Sequence, residues 1–455
     1  MKPIEEKLRG RMPPFVRQIL ERLNEAGFEA YVVGGCVRDA LLDRQPHDWD
    51  VCTSALPQEV MDCFSDYTVH PTGIQHGTVL VVQEGEGVEV TTFRTENGYS
   101  DHRHPDQVTF VRSVEEDLSR RDFTVNAMAY HPSRGIVDPF GGQQDLREQV
   151  IRCVGVPEQR FREDGLRILR ALRFAARYGF SIEAETARAM HACRELLHYI
   201  AVERIFQELK GFLSGRAVRA LMLEHREIFA VFLPELRPTF DFDQRNPNHC
   251  YDVWEHTVCA VDNAAPNPVV RLAMLFHDVG KPACFTVDEA GVGHFKGHDA
   301  VSAEIAERVL TRLRCDGETL RTVVNLVRLH DKSRRFTWKG ARRLLSQLGP
   351  DQTKLLLQVM EADIKAQAPA TVAGKMELLL DGCAKVDALL AANACFTKGD
   401  MELKGGDLLA LGLRPGILVG HVLEQVFQQV LDGTLENRKD ILLNRARALI
   451  AEENS

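Results

Sequence analysis

The chain has 455 residues, 44% of them hydrophobic and 27% charged, a globular balance that supports two to four domains and excludes a single small module or a disordered, low-complexity chain. Lys plus Arg number 56 against 65 Asp plus Glu, a formal charge of −9, so any nucleic acid must be met by local basic patches rather than by the chain as a whole. Eleven cysteines without a C-x-x-C pair argue against a disulfide framework or zinc ribbon, and no run approaches the roughly 18 apolar residues of a membrane span, so a soluble, cytoplasmic protein without a membrane partner is expected.

From the N-terminus, Phe15, Ile19, Leu20 and Leu23 recur at helical spacing and predict an amphipathic helix over 11–27. A strand is expected at Ala30–Val33, then a Gly34-Gly35 turn and a helix through Val37–Leu42. A short strand around Asp48–Cys52 leads into Thr53-Ser54-Ala55-Leu56-Pro57, where another helix opens. Thr78–Val82 and Val88–Phe93 flank Glu84-Gly85-Glu86-Gly87 and predict a β-hairpin. After about residue 145 the strand signals fade into helical patterns. Asp241–Asn248, rich in Asp, Asn and Pro, is expected to be a linker, and a further boundary falls near Ala370. The expected fold class is α+β: an α/β head with a small mixed sheet over 1–145, then all-helical parts over 146–240, 241–370 and 371–455.

The chemistry begins at Gly34-Gly35-Cys36-Val37-Arg38-Asp39. Two glycines let the backbone approach an anion, the helix start offers free N–H groups, and Arg38 lies one turn in, a set suited to a triphosphate or simply to a tight turn. In Asp48-Trp49-Asp50, strand periodicity sends both carboxylates to one face and Trp49 to the core. Two carboxylates so placed repel unless a cation lies between them, and Mg²⁺ is the natural occupant beside a nucleotide. Glu89 on the second hairpin strand is either a third carboxylate, completing a two-metal site for attack on an α-phosphate, or an exposed edge residue.

A basic asymmetry follows. Between Arg94 and Arg177 there are fourteen Arg and no Lys, and Lys is absent between Lys7 and Lys210. Arg is the better side chain for forked contacts to phosphates and base edges. Glu163–Arg177 is expected to be one helix on which Arg167, Arg170, Arg173 and Arg177 form a single cationic stripe that seeks an anionic partner. Asp164 and Arg167, one turn apart, pair an acceptor with a donor. Cytosine and adenine each present an amine beside a ring acceptor and suit that pair, whereas uracil and guanine face like against like. Arg170 and Arg173 would then reach the triphosphate or the base.

Five motifs in order, Gly-Gly-x-Val-Arg-Asp, Asp-x-Asp, Arg120-Arg121-Asp122-Phe123-Thr124-Val125-Asn126-Ala127, Asp138-Pro139-Phe140-Gly141-Gly142 and Glu163-Asp164-Gly165-Leu166-Arg167, resemble the bacterial tRNA nucleotidyltransferases of class II. Those enzymes add CCA to tRNA 3′ ends and are relatives of bacterial poly(A) polymerases. The resemblance implies that Asp48 and Asp50 bind Mg²⁺, that Gly35, Arg38 and Arg121 meet the nucleotide, that Asp122 and Asn126 lie near its ribose, and that Glu163, Asp164 and Arg167 belong to a protein template for CTP and ATP. Without it, Arg120-Arg121-Asp122 reads as a surface ion-pair cluster. The polar run Arg94–Pro105, with Asp101-His102-Arg103-His104-Pro105, resembles the loop used in switching from C to A.

In the helical half, Trp254-Glu255-His256-Thr257 and His277-Asp278-Val279-Gly280-Lys281 resemble HD phosphohydrolases. That resemblance implies one divalent metal on His256, His277, Asp278 and a late Asp, Asp363 in preference to Asp331, with His298 and His330 available for a second. The reaction implied is metal-activated water attacking a phosphoester. A metal-free helical scaffold is the other reading. Gly412-Leu413-Arg414-Pro415-Gly416 and Gly420, within Leu403–Arg445, resemble a tRNA-binding tail or form a packed helical hairpin. The expected partners are therefore tRNA, CTP and ATP. The alternatives are addition of only A, only CC or poly(A), and an RNA-binding or signalling HD phosphohydrolase with an inactive head.

Overall fold

The computed structural model describes residues 4–83, 85–98, 107–332 and 337–453. Glu84 of the hairpin turn and Asp101-His102-Arg103-His104-Pro105 of the expected switching loop lie outside the described residues. The chain divides into two compact units, Met1–Pro234 and Glu235–Ser455.

In the first unit, a short helix Ile4–Arg11 precedes the expected one, which runs Pro14–Glu25. Proline opens it, where its missing N–H costs nothing, and Phe15, Val16, Ile19, Leu20 and Leu23 form its buried face. A seven-stranded sheet follows, in the order Thr68–Gly73, Thr78–Gln83, Glu86–Thr92, Asp50–Thr53, Ala30–Val33, Ala129–His131, Gly135–Val137. Every pairing is antiparallel except that of Asp50–Thr53 with Glu86–Thr92. The register sets Val33 opposite Asp50 and Val51 beside Val90, which brings Asp50 level with Glu89 and next to the Gly34-Gly35 turn. Tyr31, Val33, Cys52 and Phe93 pack with Val114, Leu118 and Ala127 beneath this sheet, so the acidic strand ends stand on a rigid base.

The strand at Asp50 starts two residues later than expected, and Asp48 lies in the segment leading into it. The alternation nonetheless holds: Trp49 is buried, while Asp48 and Asp50 are exposed.

The single helix expected over Glu163–Arg177 is two helices, Pro157–Glu163 and Leu166–Tyr178, joined at Asp164-Gly165. Asp164 is extended at φ −142, ψ 105, and its carboxylate Oδ1 accepts from Leu166 N at 3.0 Å, capping the second helix. A Cβ on Gly165 would stand 3.0 Å from Leu196 Cβ, so glycine lets the joint approach Leu196 closely.

The second unit is helical, with Val253–Asn263, Pro268–Phe276, His298–Arg312, Gly317–Leu329 and Trp338–Lys365 ahead of Pro369–Ala391. Trp338–Lys365 kinks at Gly349-Pro350, because proline cannot continue the ladder. The segment 241–248 is not the open linker expected. Gln244 is buried, donating to Tyr251 O at 3.0 Å and accepting from Lys281 Nζ at 2.8 Å, and Asn248 O accepts from Ala368 N at 2.9 Å. These bonds tie the segment down, although most of its side chains are exposed. The last helices, Gly405–Ala410, Ile417–Leu431 and Lys439–Glu453, close over a core that includes Met401, Leu408, Val422, Val426 and Leu442. All eleven cysteines are free, and no described helix is long and apolar enough to cross a membrane.

Candidate functional site

Asp48, Asp50 and Glu89 line one cavity of about 620 Å³, walled also by His47, Leu80 and Glu86. Asp50 reaches solvent at the cavity mouth, yet the protein around it takes away part of its hydration; that loss, then the charge of Glu89, pushes its carboxyl above the usual range, with Arg121 opposing and Asp48 adding to it. All three expected ligands line this one cavity and are of the type that suits a hard divalent cation, but among the described residues only the histidine groups of the second unit have ligand atoms all within 4.8 Å of one another.

Gly34 holds φ +80, a conformation that glycine adopts without strain, and a Cβ there would meet Arg121 Nη1 at 2.9 Å. Arg121 therefore lies across the turn. Its other nitrogen, Nη2, donates to Asp117 Oδ2 at 3.4 Å. Asp117 is fully buried; burial would raise it, but the Arg120 and Arg121 charges hold it below the usual carboxylate range.

Arg38 is not splayed toward the phosphates as expected. It is 4% exposed, donating from Nε to Asp39 Oδ1 at 2.9 Å and from Nη1 to Asn126 Oδ1, and it lies over the rings of Phe174 at 5.1 Å and Tyr178 at 4.9 Å. A helical side chain leans back toward the preceding turn, and here that direction leads into the aromatic floor. Only Nη2 faces the glycines, 3.5 Å from where a Cβ on Gly35 would be.

Asn126 also donates to Asp122 Oδ1 at 2.9 Å, and Asp122 Oδ2 pairs with Arg170 at 2.8 Å. Burial would raise Asp122, yet the Arg170 charge, the Asn126 amide and Arg167 hold it at about 2. Three of the four stripe arginines are thus already paired within the protein, and Arg177 is exposed beside the ring of Tyr178. Arg167 Nη1 pairs with Glu163 at 2.6 Å, Arg170 with Asp122, and Arg173 Nε with Glu208 at 2.5 Å. These acids come from other elements, which is why the helix alone looks uncompensated.

Asp164 and Arg167 do not share one continuous helix. Asp164 Oδ2 accepts from Arg204 at 2.8 Å, while Arg167 also donates to Arg160 O and Arg120 O, each at 3.2 Å. Glu208 and Arg204 leave no mark in the sequence because their partners lie 35 and 40 residues away, whereas Asp117 stands three and four residues before Arg120 and Arg121, a helical spacing that could have flagged it. Asp138 has a supporting role: it accepts from Gly142 N at 2.6 Å and Gln143 N at 2.9 Å at the start of the helix Gly142–Glu148, whose Asp145 accepts from Thr124 Oγ1 at 2.6 Å.

In the second unit, His256, His277, Asp278, His298, His330 and Asp363 come together, all buried. His277 and His330 cap the ends of their helices, and His298 opens its own after Gly297. Each imidazole fixes Nδ1 against a backbone carbonyl: His256 on Ala366, His277 on Met274, His298 on Phe295 and His330 on Val327, at 2.6–3.2 Å. That orientation turns every Nε2 inward. His256 and His277 Nε2 atoms are 3.2 Å apart, and those of His298 and His330 3.3 Å. With Nδ1 as the donor, lone pairs would collide unless a proton or metal lies between them.

Asp278 stands between the two pairs, Oδ2 at 3.1 Å from His277 and Oδ1 at 3.3 Å from His298. Two metal-competent groups result, His256 with His277 and Asp278, and Asp278 with His298 and His330. Asp363 Oδ1 lies 3.1 Å from His256, whereas Asp331 is an exposed part of the wall of the adjoining cavity of about 440 Å³. Burial lowers His256, but hydrogen bonds to Asp278 and Asp363 prevail and push it up to about 9. The centre needs positive charge, and imidazoles with one carboxylate suit a borderline divalent metal.

Residues 30–152 match the family described as "Poly A polymerase head domain", 179–240 the "Probable RNA and SrmB- binding site of polymerase A", and 299–446 tRNA nucleotidyltransferase domain 2. The chain is 37% identical over 444 residues to the CCA-adding enzyme of Limosilactobacillus fermentum, covering 95% of this chain and 96% of that one. It is 50% identical to the CCA-adding enzyme of Geobacillus thermodenitrificans over 227 residues, 49% of this chain and 56% of the relative. Its fold matches the crystal structure of the Bacillus stearothermophilus CCA-adding enzyme in complex with CTP at a TM-score of 0.72 and 29% identity, over the full length of both. A Thermotoga maritima CCA-adding enzyme complexed with tRNA shares the fold at a TM-score of 0.58 and 22% identity. A carboxylate-lined strand end beside a Gly-Gly turn, an arginine-rich helix behind it, and near full-length likeness on both counts make this chain a member of the CCA-adding enzyme family.

Proposed function

We propose that the chain adds C, C and A to the 3′ end of tRNA from CTP and ATP without a nucleic-acid template, releasing pyrophosphate. The observation that carries this reading is the cavity of Asp48, Asp50 and Glu89 adjoining the Gly34-Gly35 turn. Asp48 and Asp50 would hold Mg²⁺, with Glu89 as third carboxylate; the bound ion would offset phosphate charge and favour the ionised form of the attacking hydroxyl. The turn and Arg121 receive the triphosphate, placing its α-phosphate for in-line attack by the tRNA 3′-hydroxyl. Arg38 acts from behind, fixing Asn126 and, through it, Asp122 near the ribose. Asp164 accepts from the amine of cytosine or adenine, and Arg167 exchanges its Glu163 partner for the ring acceptor, so one pocket serves both bases. Arg170 and Arg173 complete the wall.

We further assign four parts to the chain: a catalytic head over 1–145, a neck with the base-reading residues over 146–240, the histidine centre over 241–370, and a tRNA-binding tail over 371–455. A cytoplasmic location fits this role. Incubating the protein with one tRNA lacking its 3′ end and each nucleotide in turn tests the reading. Stepwise C, C and A is expected; all four nucleotides, or none, would overturn it, and product length separates CC-, A- and poly(A)-adding behaviour.

The inward-facing imidazoles favour a second reading for the other unit, metal-dependent hydrolysis of a phosphoester. His256, His277, Asp278 and Asp363 would hold one divalent metal, and His298 and His330, sharing Asp278, a second. Lys281, Lys296 and Lys375 on the cavity wall supply positive charge for a phosphate.

A further inference from the structure

The helix Val202–Leu213 carries Arg204 and Glu208 four residues apart on one face, and both reach the nucleotide-facing residues of the neck. Glu208 Oε2 accepts from Arg173 Nε at 2.5 Å, and Glu208 Oε1 lies 3.9 Å from Arg170 Nη1. Arg204 Nη2 donates to Asp164 Oδ2 at 2.8 Å. Arg204 Nη1 is buried and has no hydrogen-bond partner among the described residues, so this guanidinium is committed to Asp164 rather than to a wider network.

A carboxylate offers about four lone-pair directions. At Asp164 two are taken, Oδ1 by the Leu166 N–H and Oδ2 by Arg204. These two bonds together fix the carboxylate plane; either one alone leaves it free to turn about its terminal torsion, which is broad and roughly two-fold. Since Asp164 lies at the extended joint between two helices and not within one, its backbone does not supply the missing restraint. An exocyclic amine meets an oriented acceptor only while the plane is held.

We propose that Arg204 is a positioning residue for base choice: it sets the orientation of Asp164 and thereby the preference for bases carrying an amine over bases carrying a carbonyl. This rests on Asp164 and Arg167 reading the base. Arg204→Met keeps the length of the side chain and removes its charged bond.

The test is single-nucleotide addition of CTP and UTP to one tRNA lacking its 3′ end. Arg204→Met is expected to reduce the ratio of kcat/KM for CTP over UTP by about tenfold, the scale of one hydrogen bond to a charged group. The loss should fall on CTP, and Arg204→Lys should restore part of the ratio. An unchanged ratio in Arg204→Met would overturn the proposal. Arg204→Leu, which also lacks a donor, is read the same way if the Met variant does not fold. In an Asp164→Ala background, Arg204→Met should change the ratio no further, because the two act as one unit; additive loss would overturn the proposal as well. Asp164→Ala with wild-type discrimination would instead remove the base-reading assignment beneath it, a failure distinct from the first.

Discussion

Asp122 is a carboxylate kept charged inside the protein by Arg170 and Asn126, and its stabilisation has a definite pH window. Its folded value of about 2 lies below the roughly 3.9 of an unfolded Asp, so the contribution is complete above the unfolded value and disappears as pH falls through the folded one. Urea unfolding of wild type and Asp122→Asn is expected to show a constant difference above about pH 5 that shrinks by about 2 kcal/mol between roughly pH 4 and pH 2. At the other pole of the site, Asp50→Ala should lower nucleotide addition by about a thousandfold or more while leaving the unfolding temperature of the protein unchanged, read by an addition assay and a thermal melt on one preparation. Asp48 and Asp50, and His256, His277, Asp278, His298, His330 and Asp363, stand out in the sequence by residue type and spacing, and the structure gathers the first two at one cavity and the other six in one buried cluster. Arg38 was misjudged in direction, since its position one turn into a helix does not reveal that Phe174 and Tyr178, far along the chain, form the surface it stacks on.

The joint at Asp164-Gly165 and the loop Asp138–Gly142 decide how the elements meet. A Cβ on Gly142 would fall 2.3 Å from Thr124 O, a backbone atom that cannot step aside. Gly142→Ala is therefore expected to destabilise the fold by about 2 kcal/mol or more and to lower nucleotide addition, because the displaced segment carries Asn126; a denaturant midpoint and an addition assay together check this. Helix periodicity ran through Glu163–Arg177 without a break, yet the chain breaks there. The apolar spacing marks which residues are buried and says nothing of the extended Asp164, whose carboxylate caps the second helix, nor of Leu196 packed close to Gly165. The strands of the head were easier, since alternation and turn residues are local, whereas the parallel pairing that brings Asp50 level with Glu89 depends on sheet order.

Across the whole molecule, the two units carry different electrostatic designs and should respond to different treatments. Chelation followed by addition of stoichiometric Zn²⁺ in the presence of saturating Mg²⁺ is expected to raise the unfolding temperature of the wild type and not of His277→Ala. With His256 at about 9, metal uptake at pH 7 must displace about one proton, and the release should fade above pH 9; heats measured in buffers of different ionisation enthalpy count it. The α+β architecture was readable from composition and turn signals, but the anchoring of 241–248 was not: most of its side chains are exposed, and what ties it down is Gln244 and Asn246 bonding to the backbone of Tyr251 and Gly293.

The unit Met1–Pro234 carries lysine only at positions 2, 7 and 210, its cationic work being done by arginines tied to carboxylates. Reagents that acylate primary amines will consequently decorate Glu235–Ser455 almost alone. Surface immobilisation or fluorescent labelling through amines can thus be carried out with the transfer chemistry left untouched, and enzymatic acetylation has little in that half to modify.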